Sequence, residues 1–558
     1  MPAMNNRPDD FLTLRYAAGF LALFALGFAF VSGRSFWLDE VRSAAKAVQP
    51  TWAAFRAELF ALGGSDVQMP LYMCGLWAWA RAAGTSEWAL RSLNIVFFGF
   101  VLLAIATERS LPRSLRFRWG ALLAVSPMTA FYLDEARPYL LLVLGGTLVA
   151  AGMARPPAAG LPDARRVRLV LAGCVLLAAA SLTGAVFAAW PCLWLALRAA
   201  RVRAAGPALF RHPVAIPAAT LALAALLAYY LWTLAAGFRG THSFPTTPAT
   251  VGFCAYEFLG AAGIGPGRDA LRALPAAAAF LAAAPAITLT VAVWLGFAVA
   301  HRCAGPWRLR DLLSHPLFAC TAVPAALLFA GGAAAHLRIL ARHLIPALPA
   351  FALAVAWSSD RAARQGAGRA GVIDLAALAP AALWLASALF LRFAPVHARE
   401  DVRGAAALAR AAAEAGGTVW WGGDRWTFDY YPAPADPEAA ARLHPFPGPD
   451  DPEAEDAPDL AVMAVRFDGC LSLFREALLR RFGCEPDPSA SVNGFQIWRR
   501  RPPVRPHRNE ADDGHGPQAL EIAAGNVPLD GDPPEDRPAL VERVRIGAEP
   551  GIHPSGHG

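Results

Sequence analysis

Long apolar stretches separated by short arginine-rich breaks run from residue 11 to about residue 393. Crossing a bilayer as a helix takes about 20 apolar residues. Eleven stretches meet or approach that length, at 11–31, 87–107, 119–133, 139–153, 168–187, 188–200, 213–235, 276–300, 316–335, 343–358 and 372–392. The third and fourth, and the fifth and sixth, are parted only by weak polar breaks, so the count is good to about one. The pattern predicts an α-helical polytopic membrane protein with about eleven transmembrane helices.

Beyond Phe393 the pattern changes. DVRGAAALARAAAEAGG predicts a helix closed by Gly416 and Gly417, and LSLFREALLRRFG a second helix. TVWWGG, LAVMAV and GFQIW predict strands. Alternating α and β over 394–500 predicts a small α/β domain. The Pro-, Gly- and Asp-rich tail, 501–558, predicts disorder. Cys470 and Cys484 flank the second helix, which sets them roughly 20 Å apart and excludes a bridge.

Orientation follows from the short loops. Arg109, Arg113, Arg116 and Arg118 follow the second span; Arg155, Arg165, Arg166 and Arg168 follow the fourth. Arg198, Arg201, Arg203 and Arg211 follow the sixth, and further arginines follow the eighth and tenth. The alternate loops hold far fewer. The positive-inside rule puts the rich loops and the N-terminus in the cytoplasm, and the part after Phe393 outside. Outer loops then run over 32–86 and 237–274. In the first, QMPLYMCGLWAWARAAG is too short to span and predicts an interfacial or re-entrant helix, with Trp77 and Trp79 in the headgroup layer.

Composition agrees. Of 558 residues, 56% are hydrophobic and only 17% charged, which excludes soluble, collagenous and disordered classes. The net charge of +7 comes mostly from loop arginines, so topology explains it better than nucleic acid does. The chain has one lysine, Lys46. There is no CxxC, Walker, GxSxG or HExxH motif.

Candidate chemistry gathers at the outer ends of the spans. FWLDEV after the first span carries Asp39 and Glu40. SPMTAFYLDEARPY carries Asp134, Glu135 and Arg137. Carboxylates at a membrane surface are costly to desolvate and can take a proton from a hydroxyl. HLRILARHLIP carries Arg338 and Arg342, four apart, against the positive-inside trend; guanidiniums there can grip a phosphate bidentately. The bland alternatives are solvated hairpins and snorkelling arginines.

These segments, in order, resemble the GT-C glycosyltransferases, and most nearly the protein O-mannosyltransferase and undecaprenyl-phosphate aminoarabinose transferase superfamily. The likeness covers about residues 11–393 and rests on FWLDE, QMPLYMCGLWAWARAAGTSEWALRSLN, SPMTAFYLDEARPYLLL and RHLIPALPAFALAVA. The chain keeps Pro70, Leu71, Tyr72, Ser86, Glu87, Arg91, Tyr132, Glu135, Arg137 and Tyr139 of the family pattern. It has Gln68 where His is usual, Met69 for a Pro and Asp134 for a Gln. The resemblance implies transfer of a sugar from a polyprenyl-phosphate donor to a hydroxyl acceptor (glycolipid, polysaccharide or protein) on the outer face of a bacterial inner membrane. Asp39 matches the catalytic carboxylate, with Glu40, Asp134 and Glu135 beside it. Arg342, Arg338, Arg137 or Lys46 would hold the donor phosphate, and Gln68, Tyr72 and Tyr139 would line the substrate site. A divalent cation is possible, and Asp134 would favour one. The rival readings are a transporter or flippase of a lipid-linked substrate and a scaffold displaying the outer domain.

Overall fold

The computed structural model describes residues 7–61, 64–154, 163–203, 214–237, 246–304, 315–337, 339–365, 370–423, 426–447, 457–464, 469–490 and 492–501. Residues Met1–Arg501 pack as one compact unit; the tail beyond it, with its expected disorder, lies outside the described residues.

The chain enters through α1 (Arg7–Phe30), then three short helices, α2 (Leu38–Ala47), α3 (Trp52–Ala61) and α4 (Pro70–Ala83). Seven helices follow: α5 (Glu87–Ala106), α6 (Arg113–Val125), α7 (Pro127–Leu133), α8 (Tyr139–Met153), α9 (Ala164–Ala180), α10 (Leu182–Arg203) and α11 (Ala215–Ala235). Long helices then occupy Ala276–Ala304, Pro316–Ala334, Leu348–Gln365 and Ala370–Phe393. Among the described residues, five helices are long and apolar enough to cross a bilayer: Glu87–Ala106, Leu182–Ala200, Ala215–Ala235, Ala276–Ala300 and Pro316–Ala334. The apolar cores of α1, α8 and the Ala370–Phe393 helix are shorter. The chain is a multi-pass membrane protein.

Two predicted spans are broken by local chemistry. The 119–133 stretch divides at Ser126, which is extended (ψ 130°) because Pro127 follows it and opens α7. The 168–200 region divides at Ser181, also extended, rather than near residue 187. The predicted 343–358 span begins as a 3-10 turn, Ala341–Ala347, and becomes α-helical only from Leu348.

The bundle is closed by small residues. A Cβ on Gly173 would lie 2.7 Å from the Gly145 carbonyl, so only glycine lets α8 and α9 approach so closely. Trp119 and Trp384 are fully buried and donate to the Pro349 and Leu259 carbonyls, at 2.9 and 3.1 Å.

The 32–86 segment holds three helices where the sequence predicts one interfacial helix. Trp77 donates to the Gln49 carbonyl at 3.1 Å and Trp79 to the Ala89 carbonyl at 2.9 Å, so both indole N–H groups are satisfied by the protein.

After Phe393, helix Val402–Glu414 leads into a five-stranded sheet of order β2-β1-β3-β5-β4. Here β1 is Val419–Gly422, β2 Leu443–Pro445, β3 Leu460–Ala464, β4 Cys484–Pro486 and β5 Phe495–Arg500. β1 pairs in parallel with β2 and β3, and β5 runs antiparallel to β3 and β4. β1 is buried on both faces, as its continuous apolar run requires. Cys484 is a free, buried thiol.

Candidate functional site

Asp39 and Glu40 fall in the first turn of α2, where the helix dipole favours anions. They are adjacent, so they point different ways and meet different fates. Glu40 is fully buried. Arg91, near the start of α5 and also fully buried, grips it bidentately through Nε (2.9 Å) and Nη2 (2.7 Å). The Ala136 amide donates to the same carboxylate at 2.7 Å. Arg91 also donates to the Ser32, Arg34 and Ser35 carbonyls, so one guanidinium fixes the whole 32–35 segment. Breaking such a pair leaves an uncompensated buried charge.

Asp39 keeps its side chain about one quarter exposed and pairs with Arg342, Nη1 to Oδ2, at 3.2 Å. Arg342 stands in the 3-10 turn before the Leu348–Gln365 helix and lies 5.8 Å over the Trp37 ring. Arg338 lies outside the described residues.

The turn between α7 and α8 brings in the second acidic pair. Asp134 accepts from the Ser32 amide (2.7 Å) and from the Ser32 hydroxyl (2.9 Å), and lies 3.8 Å from Arg91. Its oxygens are occupied by protein, which removes the reason for assigning it a cation. Among the described residues no three of His, Cys, Asp and Glu gather as a metal-ligand set. Glu135 is buried, 3.5 Å from Arg399, and its Oε2 has no hydrogen-bond partner. Burial pushes its carboxyl up to about 7 against the pull of Arg399, and the neighbouring Glu40 charge adds to the rise. Thus Glu40, Asp134 and Glu135 are linked through Arg91 and Arg399, with the Asp39–Arg342 pair next to Glu40 in sequence.

Arg137 and Lys46 lie next to the acids and are held from the protein side; Arg137 Nη1 also donates to the Asp39 carbonyl at 3.4 Å. Both are buried and converge on Asp66: Lys46 Nζ at 2.7 Å and Arg137 Nη1 at 2.6 Å, with the Ser43 hydroxyl at 2.9 Å. Burial would raise the Asp66 carboxyl, but Lys46 and then Arg137 hold it below its ordinary value. Two cations thus share one carboxylate, which leaves this buried cluster with a net positive charge.

Of the expected substrate residues, Tyr72 is fully buried with no hydrogen-bond partner for its hydroxyl. Tyr139 packs its ring 4.3 Å from that of Tyr132. Gln68 is half-buried, and its carbonyl accepts from Leu182 at 3.1 Å.

Two participants carry no sequence signal. Asp66 is a lone acid in a polar loop. Arg399 comes from beyond the last helix, yet it donates to the Asp134 and Phe131 carbonyls at 2.7 and 2.9 Å and lies 3.6 Å from Glu40. Tyr431 accepts from the Phe36 amide at 2.9 Å and donates to Glu87 at 3.1 Å; Tyr430 donates to the Thr85 carbonyl at 2.6 Å. The C-terminal part is therefore stitched to the loops that carry the acids.

Helices and site together define a multi-pass membrane protein with a charged centre at one end of its bundle. The chain aligns over most of its length with ArnT from Cupriavidus metallidurans. The apo structure of ArnT aligns with 14% identity and a TM-score of 0.48, over 88% of this chain and 98% of that one. The structure of ArnT bound to undecaprenyl phosphate aligns with 15% identity and a TM-score of 0.47, over 87% and 97%. No family model matches the chain, and no curated protein matches it.

Proposed function

We propose that the chain is a glycosyltransferase that moves a sugar from a polyprenyl-phosphate donor to a hydroxyl acceptor on the outer face of the membrane, with eleven crossings and the C-terminal sheet outside. The observation that carries the reading is the Asp39–Arg342 pair. It is a carboxylate and a guanidinium, both part-exposed, held at 3.2 Å beside acids and bases that are otherwise mostly buried.

Inverting displacement at an anomeric carbon needs a base for the acceptor hydroxyl and a cation for the departing phosphate. In this reading the acceptor O–H proton passes to Asp39 as the new O–C bond forms. The C–O bond to phosphate breaks, and the polyprenyl phosphate leaves with its charge matched by Arg342. Phosphate is a stable leaving anion, so no second carboxylate is needed as acid, unlike in glycosidases. An incoming phosphate competes with Asp39 for Arg342, and release of that pair frees the base when the donor is in place. Glu40 is a positioning residue: Arg91 and the Ala136 amide occupy its oxygens. The orphan hydroxyl of Tyr72 and the orphan oxygen of Glu135 support a polar substrate among them.

The charges concentrate at one end of the bundle rather than at its middle, which favours transfer over transport. The test is Asp39→Asn in a strain lacking the native chain. The expected result is loss of the glycan-dependent mass shift in membrane lipids or polymers at normal protein abundance. Native glycan output from the variant would sink the base assignment.

A further inference from the structure

A shallow crevice lies between the end of α7 and the last turns of the Ala370–Phe393 helix, lined by Arg34, Asp134, Arg392, His397 and Arg399 among others. Most of its polar groups are already committed. Arg399 is taken by Asp134, Phe131, Glu40 and Glu135, as described above. Asp134 is held by Ser32, and His397 Nε2 is 2.9 Å from the Gly263 carbonyl. Arg34 and Arg392 differ. Neither forms an ion pair among the described residues, although Asp134 is near enough to attract Arg392; Arg34 is exposed, and the Arg392 Nε is buried without an acceptor. Arg392 instead lies 5.2 Å over the ring of Phe393. A buried donor with nothing to donate to calls for an explanation, and an absent anion is one.

The surroundings say what kind of anion. Phe390, Phe393 and Val396 are 53%, 62% and 62% exposed at the end of an apolar helix, so that face meets lipid and Arg392 stands where hydrocarbon gives way to headgroups. The enclosed part of the crevice is only about 10 Å³, room for one water. A ligand must sit across the mouth and send in oxygen atoms while its bulk stays in the bilayer. Two guanidiniums facing one mouth match a phosphate. We propose that this crevice binds the phosphate of an anionic membrane lipid, at a site separate from the Asp39–Arg342 pair.

The test uses the purified full chain in dodecyl maltoside micelles. The probe is dioleoyl phosphatidic acid with a fluorescent label on one acyl chain; the control is the matching diacylglycerol, which lacks the phosphate. The native chain is expected to bind the phosphatidic acid at least about tenfold more tightly, weakening as salt rises. The double variant Arg34→Gln/Arg392→Gln should lose roughly tenfold to hundredfold, since each charge-assisted bond carries about that factor. Unchanged affinity in the double variant overturns the site. A salt-insensitive affinity of the native chain also overturns it, and does so even if the double variant fails to fold. Displacement by inorganic phosphate at equal affinity overturns the lipid assignment and leaves a free-anion site.

Discussion

At the residue scale, adjacent side chains are sorted by their partners. Asp39 meets an arginine at a part-exposed rim, and Glu40 meets one in the interior. If Arg342 takes the leaving phosphate, its loss removes at least one charge-assisted bond of about 1.5–3 kcal/mol. Arg342→Ala should then slow transfer roughly tenfold to hundredfold. Arg342→Lys should be impaired nearly as much, because a lysine keeps the charge and loses the fork. A native transfer rate in Arg342→Ala would reduce the residue to a headgroup anchor. Glu135 gives a pH prediction. Its folded carboxyl is raised to about 7 by burial, so the folded chain binds this proton more tightly than the unfolded one does. That contribution is full below the ordinary carboxylate range and fades as pH rises through about 7. The thermal midpoint in detergent should therefore fall between about pH 5 and pH 8, and Glu135→Gln should flatten that part of the profile. An identical slope in the variant would assign the pH dependence to other groups.

At the scale of elements, periodicity and punctuation made the helices legible and left the partners hidden. The long apolar helices, the strands around Trp420, Val462 and Ile497, and the helix Val402–Glu414 all stand where the pattern predicts them. The breaks at Ser126 and Ser181 are one-residue events inside apolar runs, too small for a hydropathy pattern to show. The acids were legible because charge is rare beside membrane helices. Their pairing was not, because Asp39 and Arg342 are 303 positions apart and Lys46 finds Asp66 in a loop with no periodic pattern. Arg91 belongs to the recognised motif, yet only its geometry shows that it fastens the 32–40 segment to α5. Arg91→Met should cost about 3–5 kcal/mol by stranding the Glu40 charge. Adding Glu40→Gln should restore part of the loss, read as thermal midpoints in detergent. If the second change restores nothing, the pair is not the main support of this segment.

At the scale of the molecule, the sheet and the acids must lie on one side of the membrane. Arg399, Arg403, Tyr430 and Tyr431 all reach from beyond Phe393 to the 32–40 and 85–87 segments or to the Asp134 turn. α5 has 20 residues and spans about 30 Å, with Glu87 at the end nearest those contacts and Thr107 at the far end. Glu108 and Arg165 pair at that far end, 2.9 Å apart, among the arginines of two rich loops. Positive-inside logic assigns the far end to the cytoplasm and the charged centre, with the sheet, to the outside. A reporter that works only outside the cytoplasm, fused after residue 500, is expected to be active, and one that works only inside should be silent. The same pair of reporters placed in the 109–113 loop should give the opposite result. If both sites report the same compartment, either the arginine rule fails here or α5 does not cross. A cytoplasmic signal at residue 500 would turn the whole centre inward, since the contacts above bind sheet and acids together. The donor would then have to be bound from the cytoplasmic leaflet, and the outer-face transfer proposed for Asp39 would fall with it.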